Sequence, residues 1–364
     1  MKNGKFDVFQ VFNNLTKRDH IWKFENFKGI ELPSVTQDLK GSNRDDDMVI
    51  VAHVWDDLRY MKSLYLSLIS AYLFTDIENF DVKLFFSRSL KEYRPFLNTL
   101  FSPFATKISY KHRRFKYFTT FYDETEDYDF ISHLDADLFF CGSKKPFFSK
   151  IKDVHSGYRK KGYHSPYICF NYYPYRSSEF RVCHHLLKQL NLDSNSEVKK
   201  WLTQNSPLDI NVAELEKWIE REKWPWNIFY SYDAKPFRQE SFKNLVKWWY
   251  DNTGEWWEEE KLYWFWMNNN DYPYFPLKQV LGDSDITPIN PYYFTEKIPE
   301  VVTKNDFEIL DDLEVRNTLK DIQWENQETL YLVHPFEYHS QLMGKNETNR
   351  KFIRFLSEKR KQKL

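Results

Sequence analysis

Apolar residues in the first half of the chain fall into two alternating patterns. A continuous apolar run at 48–54 is typical of a strand buried within a parallel sheet, and a second strand is predicted at 81–86. Between them, apolar positions recur at helical spacing over 58–73, which predicts a helix with one buried face. A polar helix at about 90–101 and a third strand at 107–110 follow. This alternation of strand and helix predicts a parallel sheet with right-handed crossovers.

A fourth strand is predicted within 128–140, after another helix that ends near Glu126. Its apolar run stops after Leu134, Asp135 and Asp137 follow, and apolar residues then resume. Residues two apart on a strand share a face, so the two carboxylates either point the same way or flank a bend. Burying both is costly unless a cation lies between them, and oxygen ligands suit Mg²⁺ or Mn²⁺. The alternative is a strand end whose acids face water.

The second half of the chain is less regular. We predict irregular structure over 143–180 apart from a strand at 167–173, and then an inserted lobe of two or three helices at 180–222. The last predicted elements are, in order, a strand at 224–230, a loop at 231–234, a helix at 237–250 and a strand pair at 275–281 and 329–334. The whole pattern predicts an α/β protein with a mostly parallel central sheet and helices on both of its faces.

Composition excludes several classes of protein. With 364 residues the chain can bury a large core, and a formal net charge of −1 gives it no overall affinity for polyanions. Aromatic residues make up 19% of the chain; most are expected in the core, although such residues also stack on sugar rings. Only nine glycines occur, with no G-x-G-x-x-G or G-x-x-x-x-G-K-[ST] pattern. A dinucleotide dehydrogenase and a P-loop enzyme are therefore disfavoured.

The sequence favours a cytoplasmic location. The three cysteines are odd in number and lack metal-ligand spacing, which indicates reduced thiols. Residues 1–12 lack the apolar run of a signal peptide. The longest apolar run, 63–74, is too short to span a bilayer.

The segment around Asp135 and Asp137 resembles the Asp-x-Asp motif of GT-A glycosyltransferases, which use nucleotide sugars. In that fold the motif ends a strand in mid-chain, and its carboxylates hold a metal against the diphosphate of the donor. The resemblance implies a GT-A-type, Rossmann-like fold with Mn²⁺ or Mg²⁺ as cofactor, held by these two residues. It also implies that the end of the first strand, at Ala52, His53 and Val54, holds the nucleoside; for His53 a structural role is an equal alternative.

Ligands of such sheets bind beyond the carboxyl ends of the strands, so 52–54 and 135–137 are expected to line one crevice. Arg113 and Arg114 follow the third strand, from which a basic side chain would reach a diphosphate or a uracil base. A solvated basic cluster is the alternative for these two arginines.

A second acidic element lies at Trp257-Glu-Glu-Glu260. It is similar to the Trp-x-Asp-Glu element of the blood-group-type retaining galactosyl- and N-acetylgalactosaminyltransferases. This similarity implies that Glu260, or Glu259, is the acid beneath the acceptor, and it favours a retaining mechanism over an inverting one. The chain departs from that family in having Glu-Glu for Asp-Glu and in lacking its glycine-rich acceptor loop. A helix start with three acids, favoured by the helix dipole, is the alternative.

A late histidine often serves GT-A enzymes as a third metal ligand, which implies this role for His334, with His339 as a weaker candidate. An imidazole ligand fits Mn²⁺ better than Mg²⁺. A lone histidine at the end of an apolar strand can equally be structural.

The predicted divisions are an N-terminal extension at 1–46, a nucleotide-sugar-binding half at 47–142, an acceptor half at 143–344 and a basic tail at 345–364. The tail carries eight basic and two acidic residues, so it is a candidate for contact with an anionic membrane surface, nucleic acid or the diphosphate of the donor. A solvated helical end is the alternative.

The resemblance implies a metal-dependent glycosyltransferase that moves a sugar from a nucleotide-sugar donor, expected to be a UDP-sugar, to a hydroxyl group. The acceptor would be a glycan, a lipid-linked sugar, a protein or modified DNA. Two alternatives stay open. A metal-dependent nucleotidyltransferase or phosphodiesterase would use the same carboxylates, and a non-catalytic carbohydrate-binding protein would explain the aromatic residues without them.

Overall fold

The computed structural model describes residues 38–54, 59–111, 124–136, 138–173, 191–205, 224–253, 266–267, 270, 272–281, 286–289 and 330–333. Within them the strands are β1 Asp45–Val54, β2 Phe80–Ser87, β3 Lys107–Lys111, β4 Phe130–Leu134, β5 Phe139–Gly142, β6 Tyr167–Tyr173, β7 Trp224–Asp233, β8 Tyr274–Pro276, β9 Ile286–Ile289 and β10 Leu330–Val333. The α-helices are α1 Arg59–Phe74, α2 Arg94–Phe101, α3 Phe147–Lys160, α4 Asn195–Asn205, α5 Ala234–Phe237, α6 Glu240–Thr253 and α7 Leu277–Leu281. Short 3₁₀ helices occupy Ile77–Asn79 and Arg88–Tyr93.

The central sheet has seven strands in the order β3-β2-β1-β4-β7-β6-β8. Strands β1 to β4 are mutually parallel, β7 runs antiparallel to both β4 and β6, and β8 is parallel to β6. The sheet is therefore mostly parallel and surrounded by helices, which confirms the predicted α/β class. From β1 the chain moves outward through β2 and β3, and it then returns to place β4 on the other side of β1.

Both faces of the sheet are buried, as expected for parallel strands. On β1, Met48, Ile50 and Ala52 belong to one large apolar core, together with residues of α1 and α3 such as Leu68 and Phe148. The alternate positions of β1 lie on the opposite face, which is buried as well. A continuous apolar run was the right signal for β1 because every position from Met48 to Val54 is buried.

A second, three-stranded sheet has the order β5-β10-β9, with β10 antiparallel to β5 and parallel to β9. The predicted strand at 329–334 is present as β10, but its predicted partner was wrong. Of 275–281, only the start forms β8, which pairs with β6 in the central sheet. The rest forms α7, because Leu277 and Leu281 are one helical turn apart and both are buried.

Helix α3 was missed, since irregular structure was predicted there. Its buried face consists of Phe147, Phe148, Ile151 and His155, which have helical spacing but include only three apolar residues. Gly157 lies inside the helix, and the helix ends before Gly162, which has a positive φ of 77°. Glycine adopts that backbone conformation without steric cost.

The predicted loop at 231–234 was also wrong, because β7 continues to Asp233. Ser231 and Asp233 look like loop residues by composition, but both are buried and bonded to side chains of β4 and α3. The helix predicted after this loop is α6, preceded by the short α5.

Of the insertion predicted at 180–222, the structure describes 191–205, which contain α4. Trp201 of α4 lies against Trp248 of α6, with ring centroids 5.2 Å apart. None of the helices in the described ranges is long and apolar enough to cross a bilayer.

Candidate functional site

The carboxyl ends of β1 and β4 lie side by side in the middle of the sheet. Val51 is paired with His133, and two residues further along each strand come His53 and Asp135. These two residues are therefore at the same level of the sheet. Because β2 and β3 lie on one side of β1 and β4 on the other, this is the point where the strand order reverses. Open α/β sheets bind their ligands beyond the carboxyl ends of the strands at such a point.

Asp135 begins a turn that directly follows β4. Its side chain is half-buried, and its Oδ1 accepts a hydrogen bond of 2.8 Å from the amide of Ala136. Its carbonyl accepts a bond of 3.3 Å from the amide of Leu138. The fourth predicted strand is thus broken at Asp135, which agrees with a bend at the strand's end rather than with one continuous strand. Asp137 lies outside the described residues.

Two serines of α1 hold the backbone that follows the turn. The Ser67 hydroxyl donates to the carbonyl of Leu138 at 2.5 Å. The Ser70 hydroxyl accepts from the amide of Phe140 at 3.0 Å and donates to the Ser67 carbonyl at 2.7 Å. Both serines are fully buried. Since buried backbone groups need partners, these bonds fix the position of the segment after Asp135 relative to the helix.

His53 and His133 form a buried pair across the ends of β1 and β4. The Nδ1 of His53 lies 2.7 Å from the Nε2 of His133. Burial, and next the neighbouring His53, hold the pKa of His133 well below its usual value, so His133 is neutral near pH 7. Across this contact one ring nitrogen donates and the other accepts, so the tautomers of the two rings are coupled.

The His133 ring is supported on its other side by tyrosines. It stacks on Tyr230 of β7, with centroids 4.5 Å apart and planes 20° apart. Tyr230 in turn stacks on Tyr167 and Tyr232, each at 5.8 Å. The His53–His133 pair is therefore one end of a row of rings across four strands. Aromatic contacts of this kind restrict the rotation of each ring.

Ala52 and Val54, predicted to hold the nucleoside, are at the expected edge. Both belong to the apolar core, so their side chains lie on the α1 face of the sheet. Contact with a nucleoside would fall to their backbone atoms, and this role stays a prediction.

Asp233, the next acid to consider if Glu259 and Glu260 prove not to be catalytic, lies at the other end of the sheet. It is paired with Phe130, the first residue of β4, about 13 Å from the strand's carboxyl end at 3.3 Å per residue. Arg159 holds both carboxylate oxygens of Asp233, at 2.8 and 2.6 Å. It also contacts Asp129 at 2.7 Å. This partly buried ion pair joins α3 to β7.

A buried hydrogen-bonded cluster lies beside that ion pair. The two ring nitrogens of His155 contact Ser165 at 2.5 Å and Ser231 at 2.8 Å, and Ser231 contacts Ser132 at 2.8 Å. Burial, and next Arg159, lower the pKa of His155 to about 3. A serine beside a histidine is a common nucleophile arrangement, but all of these side chains are inaccessible. The cluster therefore joins α3 to the sheet.

The remaining predicted site residues lie outside the described residues: Arg113, Arg114, Glu259, Glu260, His334 and His339. Across the described residues, no group of three or more acidic, histidine or cysteine side chains could hold a metal ion. Asp135 is the one predicted metal ligand that the structure places. Its half-buried carboxylate, at a turn beyond a strand end, has the oxygen chemistry that Mn²⁺ or Mg²⁺ requires.

No protein-family model matches the sequence, and no curated protein matches it significantly. Two solved structures have a partly similar backbone. One is the mannosyltransferase Ktr4p from S. cerevisiae, with 11% identity, a TM-score of 0.37, and coverage of 71% of this chain and 75% of that one. The other is core-mannan synthase A (CmsA/Ktr4) from Aspergillus fumigatus in its Mn/GDP form, with 11% identity, a TM-score of 0.38, and coverage of 67% and 77%. Similarity at this level does not identify a donor, an acceptor or a metal.

Sequence reasoning missed His133, Ser67 and Ser70. Their signal was polarity within apolar surroundings: His133 lies in the buried strand 130–134, and the two serines stand three residues apart in the otherwise apolar stretch 64–74 of α1. Such residues need partners in the core, but the sequence does not say which ones.

Proposed function

We propose that this chain is a metal-dependent glycosyltransferase of the GT-A type, which moves a sugar from a nucleotide-sugar donor to an acceptor hydroxyl. The observation that carries this proposal is the place of Asp135. It directly follows β4, beside the end of β1, where the strand order of a mostly parallel sheet reverses. An acid at that point is placed to act on a phosphorylated ligand through a cation.

Asp135 and Asp137 would hold Mn²⁺ or Mg²⁺, with His334 as a further ligand. When bound, the ion neutralises charge on the leaving nucleoside diphosphate. The turn at Asp135 orients its carboxylate, and the bonds from Ser67 and Ser70 keep that turn in place. His53 would contact the nucleoside, and Arg113 or Arg114 would contact the diphosphate.

On the acceptor side, Glu260 or Glu259 would stabilise positive charge that develops on the sugar if configuration is retained. If it is inverted, the same residue would act as a general base on the acceptor hydroxyl. The donor is proposed to be a UDP-sugar, the acceptor a glycan, lipid-linked sugar, protein or modified DNA, and the location cytoplasmic. The two mannosyltransferases named above belong to this reaction class, but at 11% identity they do not specify the donor of this chain.

Incubating the protein with a panel of UDP-, GDP-, ADP- and CMP-sugars and Mn²⁺ tests the proposal, because glycosyltransferases without an acceptor hydrolyse their donor slowly. Release of free sugar and nucleoside phosphate from one donor is the expected result. Cleavage between the two phosphates would instead identify a phosphodiesterase or nucleotidyltransferase. Binding of sugars without turnover of any donor would identify a carbohydrate-binding protein.

A further inference from the structure

We infer that Ser67 and Ser70 of α1 determine which ion the proposed metal site prefers, because they hold the turn at Asp135 in place from behind. The inference rests on the proposed function, in which Asp135 holds Mn²⁺ or Mg²⁺. Neither serine is itself a ligand, since both are fully buried and contact the backbone that follows the carboxylate. They are positioning residues, and their effect is on the choice of ion as well as on the stability of the fold.

The turn at Asp135 is closed by its own hydrogen bonds. The amide of Leu138 donates to the carbonyl of Asp135 at 3.3 Å, and the amide of Ala136 donates to Oδ1 of Asp135 at 2.8 Å. These bonds fix the carboxylate relative to the turn. They do not fix the turn relative to the rest of the protein, because all of the bonded groups lie within four consecutive residues.

The two serines provide that second attachment. The Ser67 hydroxyl donates to the carbonyl of Leu138, the last residue of the turn, at 2.5 Å. The Ser70 hydroxyl accepts from the amide of Phe140 at 3.0 Å and donates to the carbonyl of Ser67 at 2.7 Å, so the two contacts form one connected set of bonds. Because α1 is packed in the main apolar core, for example through Leu68, the end of the turn is tied to that core.

A turn held in this way bears on the choice of ion. Mg²⁺ requires nearly ideal octahedral geometry with oxygen ligands at about 2.0–2.1 Å, whereas Ca²⁺ accepts ligands at about 2.3–2.6 Å in flexible arrangements. Mn²⁺ also takes octahedral oxygen sites. A carboxylate held in one place has little ordering left to lose when it binds, and it does not shift to accommodate a longer bond. Loosening the turn should therefore weaken the binding of Mn²⁺ and Mg²⁺ more than the binding of Ca²⁺.

The alternative is that the two serines only stabilise the fold. Tyr72→Phe separates the two roles, because Tyr72 lies on the same helix and its buried hydroxyl also donates to a backbone carbonyl, that of Phe104, at 2.6 Å. Phe104 precedes the start of β3, so this bond lies at the opposite edge of the sheet from Asp135. Tyr72→Phe and Ser67→Ala should both lower the melting temperature, whereas only Ser67→Ala should change the binding of ions.

The experiment uses the full chain after removal of bound metal with a chelator. Electron paramagnetic resonance of free Mn²⁺ gives the dissociation constant for Mn²⁺, and displacement of Mn²⁺ by Ca²⁺ gives the constant for Ca²⁺. We expect the wild type to prefer Mn²⁺. In Ser67→Ala the affinity for Mn²⁺ should fall about 3- to 10-fold, the size of one hydrogen bond, and the affinity for Ca²⁺ by less than about 2-fold. Ser70→Ala should act in the same direction, and Tyr72→Phe should leave both constants unchanged.

An unchanged preference for Mn²⁺ in both serine variants would overturn the inference and leave the proposed function intact, as would an equal loss of preference in Tyr72→Phe. A wild type that binds no Mn²⁺ would overturn the proposed function and the inference together. If the serine variants do not fold, amide hydrogen exchange of the metal-free wild type provides the test. Slow exchange of the Leu138 and Phe140 amides supports a turn that is held before the ion binds, whereas fast exchange, whether or not Mn²⁺ slows it, overturns the inference.

Discussion

At the scale of single residues, the acids of the described chain lie in two kinds of place. Some join separate elements: Asp233 is held by Arg159, Glu124 by Lys111, Asp81 by Arg44, and Asp76 by amides of the first turn of α3. Asp135 lies instead at a turn beyond the end of β4, where its carboxylate accepts from the amide of the next residue. A place beyond a strand end suits a ligand.

Asp137→Asn should lower metal-dependent donor hydrolysis by about 100-fold or more, because it removes one of the two charges proposed to hold the cation. The fold should be unaffected, so the melting temperature should change little. Initial rates at saturating Mn²⁺ test this expectation. The control is Asp153→Asn, on the exposed side of α3, which should keep the wild-type rate. A variant with substantial metal-dependent activity would exclude Asp137 from the site.

Glu260→Gln should reduce the rate of transfer by orders of magnitude with little effect on donor binding, since its charge would act only in the transition state. Glu259→Gln is the matched control. Adjacent residues on a helix point about 100° apart, so only one of the two can face the sugar. Turnover numbers and donor dissociation constants distinguish the effects. Wild-type turnover in both variants would mean that these acids only begin a helix.

His155 should make the protein less stable in acid. Its folded pKa is lowered from 6.5 to about 3, so between these values the unfolded chain binds a proton that the folded chain does not. The free energy of unfolding should therefore decrease by about 1.4 kcal/mol for each pH unit of acidification within this window. Urea unfolding at about pH 7 and about pH 5 measures it.

The control for this prediction is His155→Gln, which retains hydrogen-bonding groups for Ser165 and Ser231 but does not titrate. The unfolding free energy of this variant should depend less steeply on pH than that of the wild type. If the unfolding free energies of the two proteins depend equally on pH, His155 takes up its proton at the same pH in the folded and the unfolded chain, which would contradict the lowered pKa.

At the scale of elements, strands and helices were predictable where burial is uniform or strictly periodic. β1 is buried without a break from Met48 to Val54 and β2 from Val82 to Ser87, and α1 is apolar at helical spacing. α3 was missed because one of its four buried positions is His155, whose polarity is satisfied only by serines distant in sequence. The His53–His133 bond depends on the register of β1 with β4, which no local pattern specifies.

The two hydroxyls of α1 give a prediction at this scale. Ser67→Ala and Ser70→Ala each leave a buried backbone group near the Asp135 turn without its side-chain partner, at an expected loss of about 1–3 kcal/mol in unfolding free energy. Urea unfolding measures the loss. Thr99→Ala is the control, because this exposed hydroxyl also donates to a helix carbonyl, that of Pro95, and its removal should change stability by less than about 0.5 kcal/mol. Losses as small as this in both serine variants would contradict the anchoring role.

At the scale of the whole molecule, the fold brings together parts of the chain that the sequence keeps apart. His53 and Asp135 become neighbours because the chain completes β2 and β3 on one side of β1 before β4 is added on the other. The sequence predicted this junction, since four alternating units imply a parallel sheet. It did not predict the antiparallel β7 or the second sheet, whose strands come from widely separated segments.

Chelation tests the proposed function on the intact protein. Donor hydrolysis should vanish in EDTA, because the chelator removes an ion that side chains bind reversibly. It should return best when Mn²⁺ or Mg²⁺ is added back. Rates after back-titration with a series of divalent ions provide the measurement, with Ca²⁺ as a comparison of larger radius. Full activity in the chelator would mean that Asp135 and Asp137 do not bind a catalytic ion.

The turn after β4 is also where the chain passes from one sheet to the other, and this has an evolutionary consequence. Leu134 is fixed by its pairing in the central sheet and Phe139 by its pairing with β10, while Ser67 and Ser70 hold the backbone between and beside them. One inserted residue would turn the side chains of β5 to the wrong face. Homologous chains should therefore keep the length of this connection even where its residues diverge, and gain or lose residues in exposed connections such as 161–164.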